Sequence, residues 1–323
     1  MHFPDFFIVG AAKAGTTSLT SQLKACSSVF MTTPKEPEFF ARDDRFALGP
    51  EWYAAHFAEA KPGQITGESS TIHALAPYFP RAAKRIAEAA PQARIIYMVR
   101  HPVARSYSMY LEVLKHYQND NGTGEVNRSF EEFLFPERFP ERAPREKVFA
   151  RFDAHLPDDP GLFLDGSDYA LQAGEYLRHF PRDQIRFILF EDYVKDIVDN
   201  LASVLAFLGL DPEEAETATA YEARNTSSDH FSTTAQQQQV ADFKRRFVPA
   251  WINDALPESW RAGLRRALLS VNRATGVKTV VPPPMTAETR AWLTRHFASR
   301  YEEIERLTGL DLTPWREIDA KAG

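Results

Sequence analysis

Phe6-Phe7-Ile8-Val9-Gly10-Ala11-Ala12-Lys13-Ala14-Gly15-Thr16-Thr17-Ser18 runs from an apolar tetrapeptide, through a bend of small residues, into a segment that reads as a helix from Thr17 to Lys24. Four consecutive apolar residues predict a strand buried on both faces. The small residues after it let backbone N–H groups close on an anion, and the helix behind them adds the positive end of its dipole.

The same alternation returns along the chain. Ile65–Glu68, Arg94–Val99 and Ile185–Phe190 read as strands. Pro77–Ala90, Val103–Tyr117 and Val194–Leu208 read as helices, the first with Phe79, Ala83, Ile86 and Ala87 in helical register. Strands alternating with helices predict an α/β fold: a three-layer sandwich with a central parallel sheet flanked by helices. We expect one domain over residues 1–323. Residues 118–165 form an insertion over the sheet, because their 11 acidic and 6 basic side chains and five prolines leave little for a separate core.

Composition narrows the function. At 323 residues, with 44% hydrophobic and 25% charged residues, the chain is an ordinary globular protein. No apolar run approaches the roughly 18 residues of a membrane span. No basic segment precedes Phe6, so neither a signal peptide nor a transmembrane segment is expected. The single cysteine, Cys26, excludes an internal disulfide and a cysteine-built metal site, which points to a reducing, cytoplasmic setting. A net charge of −6 argues against a nucleic-acid partner, so any anionic ligand is held by a local cluster. One such concentration is residues 244–278, with eight Lys/Arg against two acids.

The glycines at 10 and 15 have the GxxxxG spacing of a Walker A loop, but the lysine that should follow the second glycine is replaced by Thr16. The lysine lies inside the loop, at Lys13. A Walker B strand should end in an acid that holds Mg²⁺, whereas Arg94–Val99 runs into Arg100. Both departures predict phosphate binding without a metal. The second anion element is Arg100-His101-Pro102-Val103-Ala104-Arg105-Ser106-Tyr107-Ser108. Its arginine leaves the C-terminal end of a strand, where ligands of open α/β sheets collect. Pro102 suits the first turn of a helix, and Ser108 lies two turns into it. An arginine fork with a hydroxyl holds a second phosphate.

Two phosphate sites describe a nucleotide phosphorylated at both 5′ and 3′ positions, and here the sequence resembles the sulfotransferases that use 3′-phosphoadenosine 5′-phosphosulfate (PAPS). Gly10–Ser18 resembles their 5′-phosphosulfate loop, and Tyr97–Tyr110 their 3′-phosphate motif. The likeness continues through Pro34–Phe40 (PKEPEFF), Gly67–Ser70 (GESS), Phe180–Tyr193 and Pro284–Trp315. It is strongest to the carbohydrate branch, the heparan sulfate N- and 3-O-sulfotransferases, in a bacterial form. The resemblance implies that Lys13, Ala14, Gly15, Thr16, Thr17 and Ser18 bind the 5′ side of PAPS and that Arg100 and Ser108 bind its 3′-phosphate. It implies Glu36 as catalytic base, Phe39 and Phe40 shaping the pocket behind it, and Lys13 stabilising charge on the phosphosulfate bridge. Phenol- and steroid-type relatives use a histidine base, which makes His73 the alternative to Glu36; His101 instead turns the chain ahead of Pro102.

Two features depart from the branch. Its lysine after the glutamate equivalent to Glu68 is Ser69 here, which argues against a strongly anionic, heparan-like acceptor. Its cysteine-bracketed C-terminal loop has no counterpart, and Asn272–Lys278 stands in for it, with Arg273 and Lys278 directed to the 3′-phosphate. The implied reaction is sulfuryl transfer to a hydroxyl of a carbohydrate, glycolipid or small metabolite. The competing readings are a P-loop kinase or NTPase with a degenerate loop, and a non-catalytic nucleotide-binding protein. Tyr169, Tyr176, Trp251 and Trp260 are aromatics that either stack on an acceptor or pack. Acceptor identity and oligomeric state are not legible in the residues.

Overall fold

The computed structural model describes residues 3–121, 129–139, 161–219 and 282–322. Five strands, β1 (Phe6–Gly10), β2 (Val29–Met31), β3 (Ile65–Ser69), β4 (Arg94–Val99) and β5 (Ile185–Leu189), form one sheet in the order β2-β3-β1-β4-β5. All pairings are parallel, with Phe6 level with Gly67 on one side and Arg94 on the other. Between and after the strands run α1 (Thr16–Ala25), α2 (Ala82–Ala89), α3 (Pro102–Asn121), α4 (Tyr169–His179), α5 (Ile197–Leu208), α6 (Ala287–Ala298), α7 (Tyr301–Thr308) and α8 (Thr313–Ala322), with shorter helical turns between them.

The layering follows from the apolar runs. Every residue of β1 is buried, as are Ile95 to Val99 of β4, because helices cover both faces of the sheet. Gly67 is required by this packing: a Cβ there would lie 2.1 Å from the Phe6 ring, which crosses β3 at that point. The order places the topological switch point between β1 and β4, where successive strands begin to be added on the other side of β1. The loops after those strands, Gly10–Gly15 and Arg100–His101, therefore emerge side by side at the C-terminal edge.

The expected strands and helices are present with local differences. β2 has no counterpart in the sequence reading, since three residues at a sheet edge carry too little periodicity to register. The helix read over Pro77–Ala90 begins only at Ala82; Pro80 disfavours helical geometry at Phe79 before it. Phe190 opens a short helix, Phe190–Tyr193, instead of ending β5. The described ends of the 118–165 stretch join the core. A short helix, Phe130–Leu134, starts on a Ser129/Glu132 capping box, and Phe130 meets Phe163 edge-on at 5.4 Å. No helix among the described residues is long and apolar enough to cross a membrane.

Candidate active site

At the end of β1 the chain is tied back to β4 by Ala11, whose N–H donates to the Met98 carbonyl at 2.7 Å. Ala14 N–H then donates to the Ala11 carbonyl, closing a tight turn with Lys13 at φ 70°. Gly15 follows at φ 90°, and a Cβ there would also press the Phe190 ring at 2.9 Å. As the residue before α1, Gly15 has no side chain with which to cap the helix. The first N–H groups of α1 are thus a donor set that an anion completes. Lys13 is the loop's cation; its Nζ lies 2.9 Å from Glu112 Oε2, and both side chains are partly exposed. Thr16 is buried, while Thr17 is exposed at the first turn of α1.

Arg100 meets this loop from β4. One guanidinium nitrogen donates to the Lys13 carbonyl at 3.1 Å, and the group lies 4.7 Å from the centre of the Phe190 ring. Burial pushes the Arg100 pKa down and the Glu191 carboxylate opposes that shift. The arginine's backbone is clamped by one hydroxyl: Tyr169 donates to the Arg100 carbonyl at 2.8 Å and accepts from its N–H at 3.3 Å. Glu191 accepts from the His101 N–H and from Trp315 Nε1, each at 2.9 Å. His101 is itself buried, its Nε2 2.9 Å from Asp319 of α8. The C-terminal helices thereby brace the strand end that carries Arg100. Ser108 is buried on α3. It sits one turn before Glu112, so the two share the helix face that reaches Lys13.

Glu36 approaches from the loop after β2. Lys35 Nζ bridges Glu36 Oε1 at 2.9 Å and Thr17 Oγ1 at 3.1 Å, which draws the candidate base to the mouth of the anion loop. Glu36 and Glu38 both have left-handed backbones, at φ 63° and 58°. Beneath them lies Glu68, wholly buried at the end of β3. Its Oε1 accepts from Ser70 Oγ at 2.5 Å and its Oε2 accepts from the Tyr53 hydroxyl. Burial is the largest influence on its pKa, and the charges of Glu36 and Glu38 add to it. Against the two hydroxyl bonds, these push the Glu68 pKa up to about 7.

His73 is buried and lacks a hydrogen bond on either ring nitrogen among the described residues. Burial pulls its pKa down to about 3, so the ring is neutral. At 3.7 Å from Glu68 Oε1 its Nε2 forms no hydrogen bond there. Phe39 and Phe40 are buried core residues. Phe39 stacks on Tyr53 at 4.5 Å, and Phe40 meets the same ring edge-on at 5.1 Å.

Of the residues singled out in the sequence, the structure brings Lys13 and Arg100 into contact and links Glu36 to Thr17 through Lys35. Ala14, Gly15, Thr16 and Ser18 lie in the same loop and first turn. Tyr169 and Tyr176 are both buried; Tyr176 packs in the core, and Tyr169 holds the Arg100 backbone. Arg273, Lys278, Trp251, Trp260 and the whole basic segment 244–278 lie outside the described residues. The sequence reading missed Lys35, Glu112, Tyr169 and Glu191 as parts of this site. Lys35 and Glu112 carried weak signals, one next to Glu36 and the other one helical turn beyond Ser108. Among the described residues no three His, Cys, Asp or Glu side chains are grouped as metal ligands would be.

An uncapped helix start, hydroxyls at Thr16, Thr17 and Ser18, and cations at Lys13 and Arg100 fit the class of α/β proteins that hold a nucleotide's phosphates at a switch point. The sulfotransferase domain family matches residues 3–267, and the chain belongs to that family. Mouse heparan sulfate glucosamine 3-O-sulfotransferase 3B1 is 29% identical over 207 residues, covering 64% of this chain and 46% of the mouse protein. Human heparan sulfate glucosamine 3-O-sulfotransferase 5 is 25% identical over 209 residues, covering 65% of this chain and 54% of the human protein. The chain thus spans about half the length of these curated relatives. The crystal structure of a sulfotransferase from Alicyclobacillus acidocaldarius superposes with a TM-score of 0.62 at 24% identity, over 98% of this chain and all of that one, and shares the fold.

Proposed function

We propose that the protein transfers a sulfuryl group from PAPS to a hydroxyl of a carbohydrate, glycolipid or small metabolite, with Glu36 as the base. The observation that carries this reading is the Lys35 bridge. A single ammonium head separates the Glu36 carboxylate from the first turn of the anion-binding helix. A base for the attacking hydroxyl belongs at that distance from the donor's reacting end. The bound donor supplies an activated sulfuryl group on a phosphosulfate bridge.

The chain's own residues divide the remaining work. The uncapped N–H groups of α1 and the hydroxyls of Thr16, Thr17 and Ser18 hold the 5′ side, and Arg100 with Ser108 holds the 3′-phosphate. Lys13 is withdrawn from Glu112 to neutralise charge on the leaving oxygen, a role whose removal typically lowers rate by about 10²–10³. Glu36 takes the acceptor's proton. His73 is a poor base in this setting, being neutral, buried and turned away from solvent. We read residues 1–323 as one sulfotransferase domain with an insertion at about 118–165, and we assign Arg273 and Lys278 to the 3′-phosphate. A buried, unpaired thiol at Cys26 fits a reducing cytoplasm.

The test is calorimetric titration with 3′-phosphoadenosine 5′-phosphate in EDTA, followed by screening of hydroxyl acceptors with radiolabelled PAPS. Wild type should bind at micromolar Kd or tighter, and Lys13→Ala should bind much more weakly. Glu36→Gln should keep nucleotide affinity and lose about 10²–10⁴ in turnover. Folded wild-type protein that does not bind the nucleotide overturns the reading.

A further inference from the structure

Glu36 and Glu38 hold left-handed backbones that side-chain-bearing residues adopt only where the surroundings impose them. The imposing contacts lie at both ends of the segment. On one side Lys35 ties it to Thr17 of α1. On the other, the Glu38 N–H donates to Ser70 Oγ at 3.2 Å, and the Ser70 hydroxyl in turn donates a hydrogen bond to Glu68 Oε1 at 2.5 Å. Tyr53 donates to the second Glu68 oxygen, so that carboxyl is fixed from both directions. Glu68 and Ser70 are two apart on an extended segment and therefore share a face. Both are wholly buried, which keeps them from touching a substrate. A buried carboxyl is a costly group to retain when, among the described residues, its hydrogen bonds come from two hydroxyls, and the backbone it reaches through Ser70 is the one carrying the candidate base.

We propose that Ser70, anchored by Glu68, is a positioning residue for the reaction: it pins the Glu38 amide and so holds Glu36 at the angle from which it takes the acceptor's proton. This inference rests on the assignment of Glu36 as base. Ser70 acts on turnover through Glu36 and leaves nucleotide binding to the loop after β1.

The experiment is a double-mutant cycle between Ser70→Ala and Glu36→Gln. It is read by single-turnover release of labelled sulfate from PAPS with water as acceptor, alongside calorimetric affinity for 3′-phosphoadenosine 5′-phosphate and urea unfolding of each variant. Ser70→Ala should slow release about tenfold or more with nucleotide Kd within twofold of wild type. Ser70→Thr, which keeps the hydroxyl, should restore most of the rate. In the Glu36→Gln background Ser70→Ala should have no further effect, because interacting residues are non-additive. Tyr53→Phe keeps the ring and removes one hydroxyl from Glu68, and it enters the same cycle if Ser70→Ala does not fold. Losses that add to that of Glu36→Gln, or a fully active Ser70→Ala, overturn the proposal while leaving Glu36 as base. A fully active Glu36→Gln instead overturns the base assignment itself, and the proposal with it.

Discussion

Replacing Glu68 by glutamine should change stability with a sign that depends on pH. Glu68 is wholly buried at the end of β3, and its pKa stands at about 7 against 4.5 for an ordinary glutamate. The folded protein therefore holds this proton more tightly than the unfolded chain does. Between those two values stability falls as pH rises, and above pH 7 the ionised carboxylate costs the fold about 3 kcal/mol, at about 1.4 kcal/mol per unit. Glutamine abolishes that titration. Its amide nitrogen also replaces one oxygen that accepts from Tyr53 or Ser70, a loss of about 1 kcal/mol at every pH. The variant should thus be about 2 kcal/mol more stable than wild type at pH 8, and equal or slightly less stable near pH 5. The depressed His73 titrates in both proteins and cancels in the difference. Reversible urea unfolding followed by tryptophan fluorescence at four pH values between 5 and 8 measures this directly. A difference that is flat across the range refutes the reasoning. So does a wild type that gains on the variant toward pH 8, since the two hydroxyls would then outweigh burial.

Other substitutions probe the remaining supports. His73→Leu removes two buried ring nitrogens that lack hydrogen-bond partners among the described residues; it should leave turnover intact and flatten the loss of stability that develops as pH falls below about 6.5, both checked by assay and by unfolding at pH 4 to 7. Tyr169→Phe deletes both bonds to the Arg100 backbone. It should lower stability by about 1–2 kcal/mol and weaken calorimetric affinity for 3′-phosphoadenosine 5′-phosphate more than a change of equal stability made elsewhere. Gly15→Ala meets both a left-handed backbone and the Phe190 ring, and should lower the unfolding midpoint and nucleotide affinity together. Glu112→Gln removes the carboxylate that holds Lys13. It should tighten nucleotide binding by a few-fold, in keeping with the modest strength of partly exposed ion pairs.

The parts of the fold that were legible in the sequence are those written in contiguous residues. Phe6–Val9 and Ile95–Val99 are apolar runs that a doubly covered sheet accommodates. Gly10–Ser18 joins a strand to a helix through residues small enough for an anion site. Lys13 and Arg100 were named because they sit in such local patterns, and Glu36 because Pro34–Phe40 resembles the family's motif. The supports around them were not legible, because they depend on strand order. With β3 beside β1, and β2 outside β3, the segment after β2 has to return across the C-terminal end of β3 to reach α1. It is fastened there on the way, first by Thr32 N–H to the Gly67 carbonyl at 3.1 Å and then by Glu38 N–H to Ser70. Nothing in the spacing between residues 32 and 70 encodes that crossing. Once all strands are parallel, however, every following loop leaves from the same edge. Glu36, Ser70, Lys13 and Arg100, carried by the loops after four different strands, are therefore gathered by topology before any side chain makes a contact. Pairings such as Lys35 with Thr17 then depend on side-chain length alone, and this is why neither they nor the buried Glu68 could be anticipated from the order of residues.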